Sequence, residues 1–495
     1  MTLLRKLAGE TAIYGFSYIL SRVLHYFLFT IYLTRVFNDQ TSQYGIYRDL
    51  YFYVAIVLVI LTFRMETTYF RYAKEDRSKV TTMSMSFLLT LASLFLVGLW
   101  IFRGEVASWM AYEGMTTHLM LLGSVLFFDV LCAVPFASLR QQNRPWVFMA
   151  LKLGSIVLNI VFVLFFIELL PGWAEAGGFW ESIYRPDDQL FYVFLSNMLA
   201  SMLTFFGLLP FARSESFEWD FQFFKKMLRY SWPLVIVGFA GVVNQSSYIT
   251  FQKYILPNDI TTNLSDGGVY AAAASLALLL NLFTIAFNYA AEPFFFAHKD
   301  RPDSREVYAD VALAFTIVGS IIMLFILAYM DLFQFILGSN FRAGLFVVPI
   351  LLVAYLLLGI YYNLSAWYKL ADRTRWGAWI AIGGAIITIV GNVLLIQRLE
   401  VIGSAWAALA CYAFMCVASY LLGQKYFPIP YKIGRMFGWI IGAIFLYLIM
   451  EGMRGWIGSS LPIILLANSA LLIIFLYLVY RFERPLIKQI SGSQK

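Results

Sequence analysis

Tyr14, Tyr18, Arg22 and Tyr26 recur at intervals of four, with His25 beside them. On a helix that spacing puts all four on one face. A guanidinium among phenols can hold an anion through its forked N–H donors. It can equally be half of a buried ion pair between helices, and both readings stay open. A second polar group, Asn244, Gln245, Tyr248 and Gln252, follows Pro233, Gly238 and Gly241. Neutral amides and a phenol beside residues that let a helix bend can line a wet passage. Asn281, Asn288 and Glu292 share another helix face, ending at Pro293.

Opposite charges also interrupt apolar runs. Arg64 lies beside Glu66, and a structural pair or snorkelling explains them as well as a cargo or coupling role. Asp129 and Lys152 sit at matching depth in neighbouring runs, where a salt bridge between helices is the favoured expectation. Arg48 and Asp49 open one run and are either interface residues or cavity lining. His118, His298 and the Asp187–Asp188 pair fall at run ends or in a loop, where solvation is expected. Cys132, Cys411 and Cys416 lack metal-ligand spacing and read as buried thiols. Neither a phosphate-binding glycine loop nor a zinc-protease motif is present, so no metal, cofactor or catalytic centre is expected.

The surrounding sequence decides what must position these groups. Of 495 residues, 61% are hydrophobic and only 13% charged, and mean hydropathy is +0.74. A bilayer core accepts helices of about 20 apolar residues. The expected class is an all-α polytopic membrane protein with about 14 helices, near 11–36, 45–70, 81–102, 116–139, 146–170, 189–211, 231–255, 268–297, 307–330, 344–368, 376–397, 402–423, 436–453 and 460–480. Barrel strands would be about 10 residues long and half polar, and these runs are neither. The first run carries Arg22 and lacks a small-x-small cleavage site, so it is expected to be retained.

Basic residues set the orientation. With the N-terminus inside, 25 of the 36 Lys and Arg fall in cytoplasmic breaks and 8 on the other side, which predicts both termini in the cytoplasm. The net charge of +7 then reflects topology, not a nucleic-acid partner. Four parts follow: a six-helix lobe over 1–212, an interfacial linker over 213–229, a second six-helix lobe over 230–425, and two further helices with a tail over 426–495. In the linker, Phe221, Phe224 and Leu228 oppose Lys225 and Lys226, the pattern of a helix lying in the membrane surface. Two six-helix halves form a known transporter plan.

Several motifs resemble one family. Residues 286–296 (AFNYAAEPFFF), 361–370 (YYNLSAWYKL), 403–407 (GSAWA) and 423–431 (GQKYFPIPY) are similar to bacterial polysaccharide flippases of the multidrug/oligosaccharidyl-lipid/polysaccharide exporter superfamily. Met65-Glu66-Thr67 with Phe70-Arg71, and Phe127-Phe128-Asp129-Val130, extend the likeness. The resemblance implies two six-helix lobes, two extra helices and residence in the bacterial inner membrane. It also implies export of an undecaprenyl-pyrophosphate-linked oligosaccharide by alternating access, with a cationic cavity for the pyrophosphate. Glu66, Asp129 and Glu292 match family positions. Where relatives read N-E-x-x-D-R, this chain has Asn244, Gln245, Tyr248 and Ile249. It has Asn288 where they carry Arg. These departures leave open whether Na⁺, H⁺ or the membrane potential drives transport, and what the cargo is. Arg22, Arg48, Asn244, Tyr248 and Asn288 are expected to line a water-accessible space. The alternatives are a drug or cation extruder of the same superfamily, a membrane polysaccharide polymerase or glycosyltransferase, and an inactive scaffold.

Overall fold

A computed structural model describes residues 19–212, 218–297, 301–371, 373–457 and 460–486. Among these, 13 helices are long and apolar enough to cross a membrane, and no strand occurs. The chain is therefore an all-α, multi-pass membrane protein. Residues 19–36 form helix α1, with a π-helical stretch at Phe27–Tyr32; residues 11–18 of that expected span lie outside the described residues. The others are α2 (Thr41–Tyr72), α3 (Arg77–Ile101), α4 (Thr116–Gln141), α5 (Pro145–Glu175), α6 (Gln189–Ala212), α7 (Phe221–Ser246, continued by Tyr248–Ile255), α8 (Ile260–Ala297), α9 (Ser304–Ala328), α10 (Ser339–Leu370), α11 (Arg375–Leu399), α12 (Val401–Tyr426), α13 (Ile433–Ile457) and α14 (Leu461–Phe482).

Contacts divide the chain into two compact units. The first holds described residues up to Leu28 and Asp49–Val242, the second Phe29–Arg48 and the chain from Val243 onward. The chain crosses between them inside α1, α2 and α7. The 221–229 segment forms no separate surface helix. It is the start of α7, because Asp220 caps that helix by accepting from the Phe223 N–H at 3.0 Å and Phe224 and Met227 are buried in the core. That N–H, backed by Lys79 at 3.3 Å, holds the Asp220 carboxyl below its ordinary pKa.

In the first unit, α4 packs on α3 and α6, and α6 packs on α5. A core shared by α2, α3 and α4 includes Met65, Tyr69, Val80, Met83, Val130 and Val134. Helix α2 breaks where Phe63 and Arg64 adopt φ of 48° and 53°. Left-handed backbone costs a non-glycine residue about 1–2 kcal/mol, so neighbours must hold the bend. The Arg64 guanidinium lies over Gly238, where an added Cβ would sit 2.4 Å from Nη2. Glu66 pairs with Arg64 at 3.5 Å, and Thr68 meets Ser231 at 2.5 Å.

In the second unit, α10 packs on α8 and α12, and α12 on α11. Helices α13 and α14 pack on α9. Arg454 pairs with Asp331 at 2.6 Å, Lys432 pairs with Asp310, and Asn468 donates to the Ala328 carbonyl at 2.8 Å. In the most apolar window of α9, 67% of residues are buried, against 17% in α3 and in α5. Helix α9 is thus a core helix of its unit, while α3 and α5 leave most of their surface uncovered by protein.

Candidate functional site

The beginning of α2 crosses α8 within the second unit at glycine. A Cβ on Gly45 would lie 1.8 Å from the Leu264 carbonyl oxygen, and one on Gly268 would lie 2.6 Å from that of Thr41. Only bare backbones can approach this closely. Thr41 and Ser265 complete the crossing with a hydroxyl contact of 2.5 Å.

One turn further along α2, this crossing sets Arg48 beside α7. Its Nη2 donates to the Tyr248 hydroxyl at 3.4 Å. The Tyr248 and Tyr270 rings lie 4.7 Å apart, and Tyr355 and Tyr412 continue the aromatic wall at 6.2 Å from each other. Asn244 is almost fully buried. It accepts from the Thr388 hydroxyl at 3.2 Å and donates to the Ala381 carbonyl at 3.4 Å. Its backbone carbonyl accepts from the Tyr412 hydroxyl at 3.4 Å. Asn244, Gln245, Tyr248, Tyr270, Tyr355, Thr388, Asn392 and Ser404 surround a cavity of about 20 Å³, room for roughly one water. Among the described residues no carboxylate lines it. The arrangement offers phenols, amides and a neighbouring guanidinium, so it can donate hydrogen bonds to an anion or polar group and lacks a negative charge to attract a cation.

The expected residues therefore separate. Asn244, Gln245 and Tyr248 meet Arg48 here. Gln252 lies a turn away, donating to the Ser404 hydroxyl at 2.9 Å. Asn288 lines a different cavity of about 170 Å³, with Tyr362, Lys369, Phe295 and Phe296. Asn281 is half-buried elsewhere on α8, and the side chain of Glu292 lies outside the described residues. Arg22 and His25 are exposed on α1, in the part belonging to the first unit.

In that unit Asp129 hydrogen-bonds Ser201, while Tyr51 meets the Asn197 amide. Lys152 makes no ion pair with Asp129. Its Nζ lies 5.3 Å from the Phe136 ring centre, a favourable cation–π arrangement, and it still attracts the Asp129 carboxylate from beyond ion-pair distance. The expected close salt bridge is thus a longer-range attraction, with a hydroxyl meeting Asp129 and an aromatic face meeting Lys152.

The expectation of solvated chain breaks also needs correction. His118 is buried, with Nε2 2.8 Å from Asp188, and Asp188 also accepts from the Phe191 N–H at 3.1 Å, capping α6. Asp49 is fully buried and accepts from the Tyr112 hydroxyl at 2.5 Å. These partners lie 70 and 63 residues apart in the chain, beyond the reach of any local pattern. His298 lies outside the described residues. Sequence alone does not single out Tyr270, Tyr355, Tyr412 and Thr388, since isolated hydroxyls in apolar runs look like ordinary interfacial or core residues. All three cysteines are buried thiols, as their surroundings suggest.

The fold is shared with solved flippase and multidrug transporter structures. The chain is similar to the lipid II flippase MurJ in an inward closed conformation, with 14% identity over 95% of this chain and 99% of that one, and a TM-score of 0.70. It is also similar to an inward-facing multidrug resistance MATE family transporter of the MOP superfamily, with 12% identity over 81% and 93% of the two chains and a TM-score of 0.63. For a mutant of the Vibrio cholerae MATE transporter VcmN the values are 11%, 86%, 97% and 0.59. At such identities the likeness establishes the fold. No family model and no curated protein matches the sequence.

Proposed function

We propose that this protein is a membrane transporter of the flippase type and not an enzyme. It moves an undecaprenyl-pyrophosphate-linked oligosaccharide from the cytoplasmic to the outer leaflet of a bacterial inner membrane by alternating access. The cargo serves cell-surface polysaccharide synthesis. The fold likeness supports transport. The observation that carries an anionic cargo is Arg48 hydrogen-bonded to Tyr248, a wall residue of a phenol- and amide-lined cavity that no described carboxylate lines. Arg22, exposed on α1 of the first unit, is a separate candidate to meet the pyrophosphate. A cation extruder of the same superfamily would need an acidic attraction that this cavity does not offer.

The experiment is complementation in a strain lacking the gene. Surface glycan should fall and lipid-linked oligosaccharide should accumulate on the cytoplasmic face, and the wild-type gene should reverse both. Arg22→Ala should restore membrane levels but little export, and Arg22→Lys part of it. A deletion strain with normal surface glycan but heightened sensitivity to cationic drugs would sink this reading and favour the extruder.

The excess of Lys and Arg on one side supports a cytoplasmic location for both termini. Reporter fusions after Lys495 and within the 171–188 loop should respond from opposite sides. An external reporter after Lys495 would refute the topology.

A further inference from the structure

At one end of the first unit, α2, α3, α4 and the short helix Arg103–Trp109 enclose an apolar groove of about 380 Å³. Its floor is Leu50, Leu119, Leu122 and Leu126, all nearly inaccessible, and its rim is Leu94, Phe102 and Trp109, at 66%, 57% and 75% exposure. Helix α3, which forms one wall, is among the least buried spans, so that wall is not covered by another part of its unit. Two glycines contribute to it in different ways. A Cβ on Gly123 would strike the Leu99 side chain at 2.4 Å, whereas one on Gly98 would meet nothing within 4 Å. The groove is therefore tightly packed at one wall and open at Gly98.

We infer that this groove binds a bilayer phospholipid, with one acyl chain in the cavity and the phosphate at Arg103. An aliphatic chain suits a lining that is almost wholly apolar, because each buried methylene contributes about 0.8 kcal/mol. The bilayer supplies that chain at the open rim. Arg103 is exposed and directly follows Phe102 of the rim, where spans end and headgroups begin. A guanidinium there matches a phosphodiester through paired N–H donors. The exposed Trp109 adds the amphipathic ring that favours the same depth. The site is separate from the Arg48 cavity and does not depend on the identity of the cargo.

The test is native mass spectrometry of the full chain after graded delipidation, with phosphatidylglycerol as probe. Gly98→Phe projects a ring into the groove and should lower retained phospholipid about tenfold, equivalent to roughly 1.4 kcal/mol of binding. Val97→Phe, on the neighbouring exposed surface, should leave retention unchanged. Arg103→Gln should lower it by a smaller factor. Equal retention by the Gly98 and Val97 variants would overturn the inference, as would stoichiometric displacement by undecaprenyl phosphate, which would make the groove a site for the cargo's tail. A second measurement needs no variant. Phosphatidylglycerol carrying a diazirine on its acyl chain should label wild-type residues 94–110 and 119–126 above the exposed face of α5. Uniform labelling of both would also overturn it.

Discussion

Replacing Gly45 with valine should prevent this protein from accumulating as a monodisperse species in the membrane. Even the first atom of a side chain at this position would lie 1.8 Å from the Leu264 carbonyl oxygen and 2.7 Å from its carbon. Both are backbone atoms, so no rotamer change relieves the overlap. Helices α2 and α8 must separate, which also strips the Thr41–Ser265 contact and loosens the seat of Arg48. Overpacking typically costs about 1–3 kcal/mol and more where the neighbours cannot yield, against a total stability on the order of 5–15 kcal/mol. Gly45→Ala should lower the thermal midpoint by several degrees, and Gly45→Val should go further and abolish the folded peak. The comparison is Gly98→Ala, where the new methyl meets open space and helix propensity improves by about 1 kcal/mol. Fluorescence-detected size exclusion after heating reads all three. A Gly45→Val protein with the wild-type midpoint would show that the two backbones are not in contact.

The contrast between those two glycines marks how far a sequence of this kind can be read. Apolar run length places the spans well, since a bilayer demands helices of a given length: the runs expected at 307–330 and 376–397 are α9, Ser304–Ala328, and α11, Arg375–Leu399. What run length cannot carry is where helices break. Pro135, Pro210 and Pro233 all lie inside continuous helices, because packed neighbours in a membrane can satisfy the freed backbone groups. The break in α2 falls instead at Phe63 and Arg64, neither a residue that favours left-handed backbone, and is held by contacts more than 150 residues away at Ser231. The same limit applies to the candidate site. Asn244, Gln245 and Tyr248 are legible in the sequence as one polar helix face. Their company is not: Thr388, Tyr355 and Tyr412 come from three other helices, and Arg48 reaches them only through a glycine crossing. Asn288 carries the same amide chemistry as Asn244, yet a different cavity receives it. Charge pairing misleads for a related reason. Asp129 and Lys152 have matching depth, but depth along two helices says nothing about rotation around them, and Lys152 faces Phe136.

Arg48 is the residue whose replacement should most reduce export without removing the protein. Among the described residues it makes one long hydrogen bond, 3.4 Å to the Tyr248 hydroxyl, and is only half-buried, so most of its donors are not committed to that bond. A hydrogen bond to a charged group contributes about 1.5–3 kcal/mol, which corresponds to roughly ten- to a hundredfold in affinity. Arg48→Ala should therefore cut export by about that factor while membrane levels stay near wild type, because Gly45, Gly268 and the Thr41–Ser265 contact still hold α2 against α8. Lysine keeps the charge but loses the forked geometry that matches phosphate oxygens, so Arg48→Lys should restore only part of the activity. Tyr248→Phe separates binding from mere placement. It removes the hydroxyl that Arg48 meets but keeps the ring on Tyr270 and leaves the guanidinium in place, so it should be milder than Arg48→Ala. The readout is surface glycan per copy of membrane-inserted protein in a strain lacking the native gene. If Tyr248→Phe is as damaging as Arg48→Ala, the arginine acts by positioning α7 and not by meeting an anion. Full export by Arg48→Ala would remove Arg48 from the mechanism and leave Arg22 as the remaining candidate for the anion.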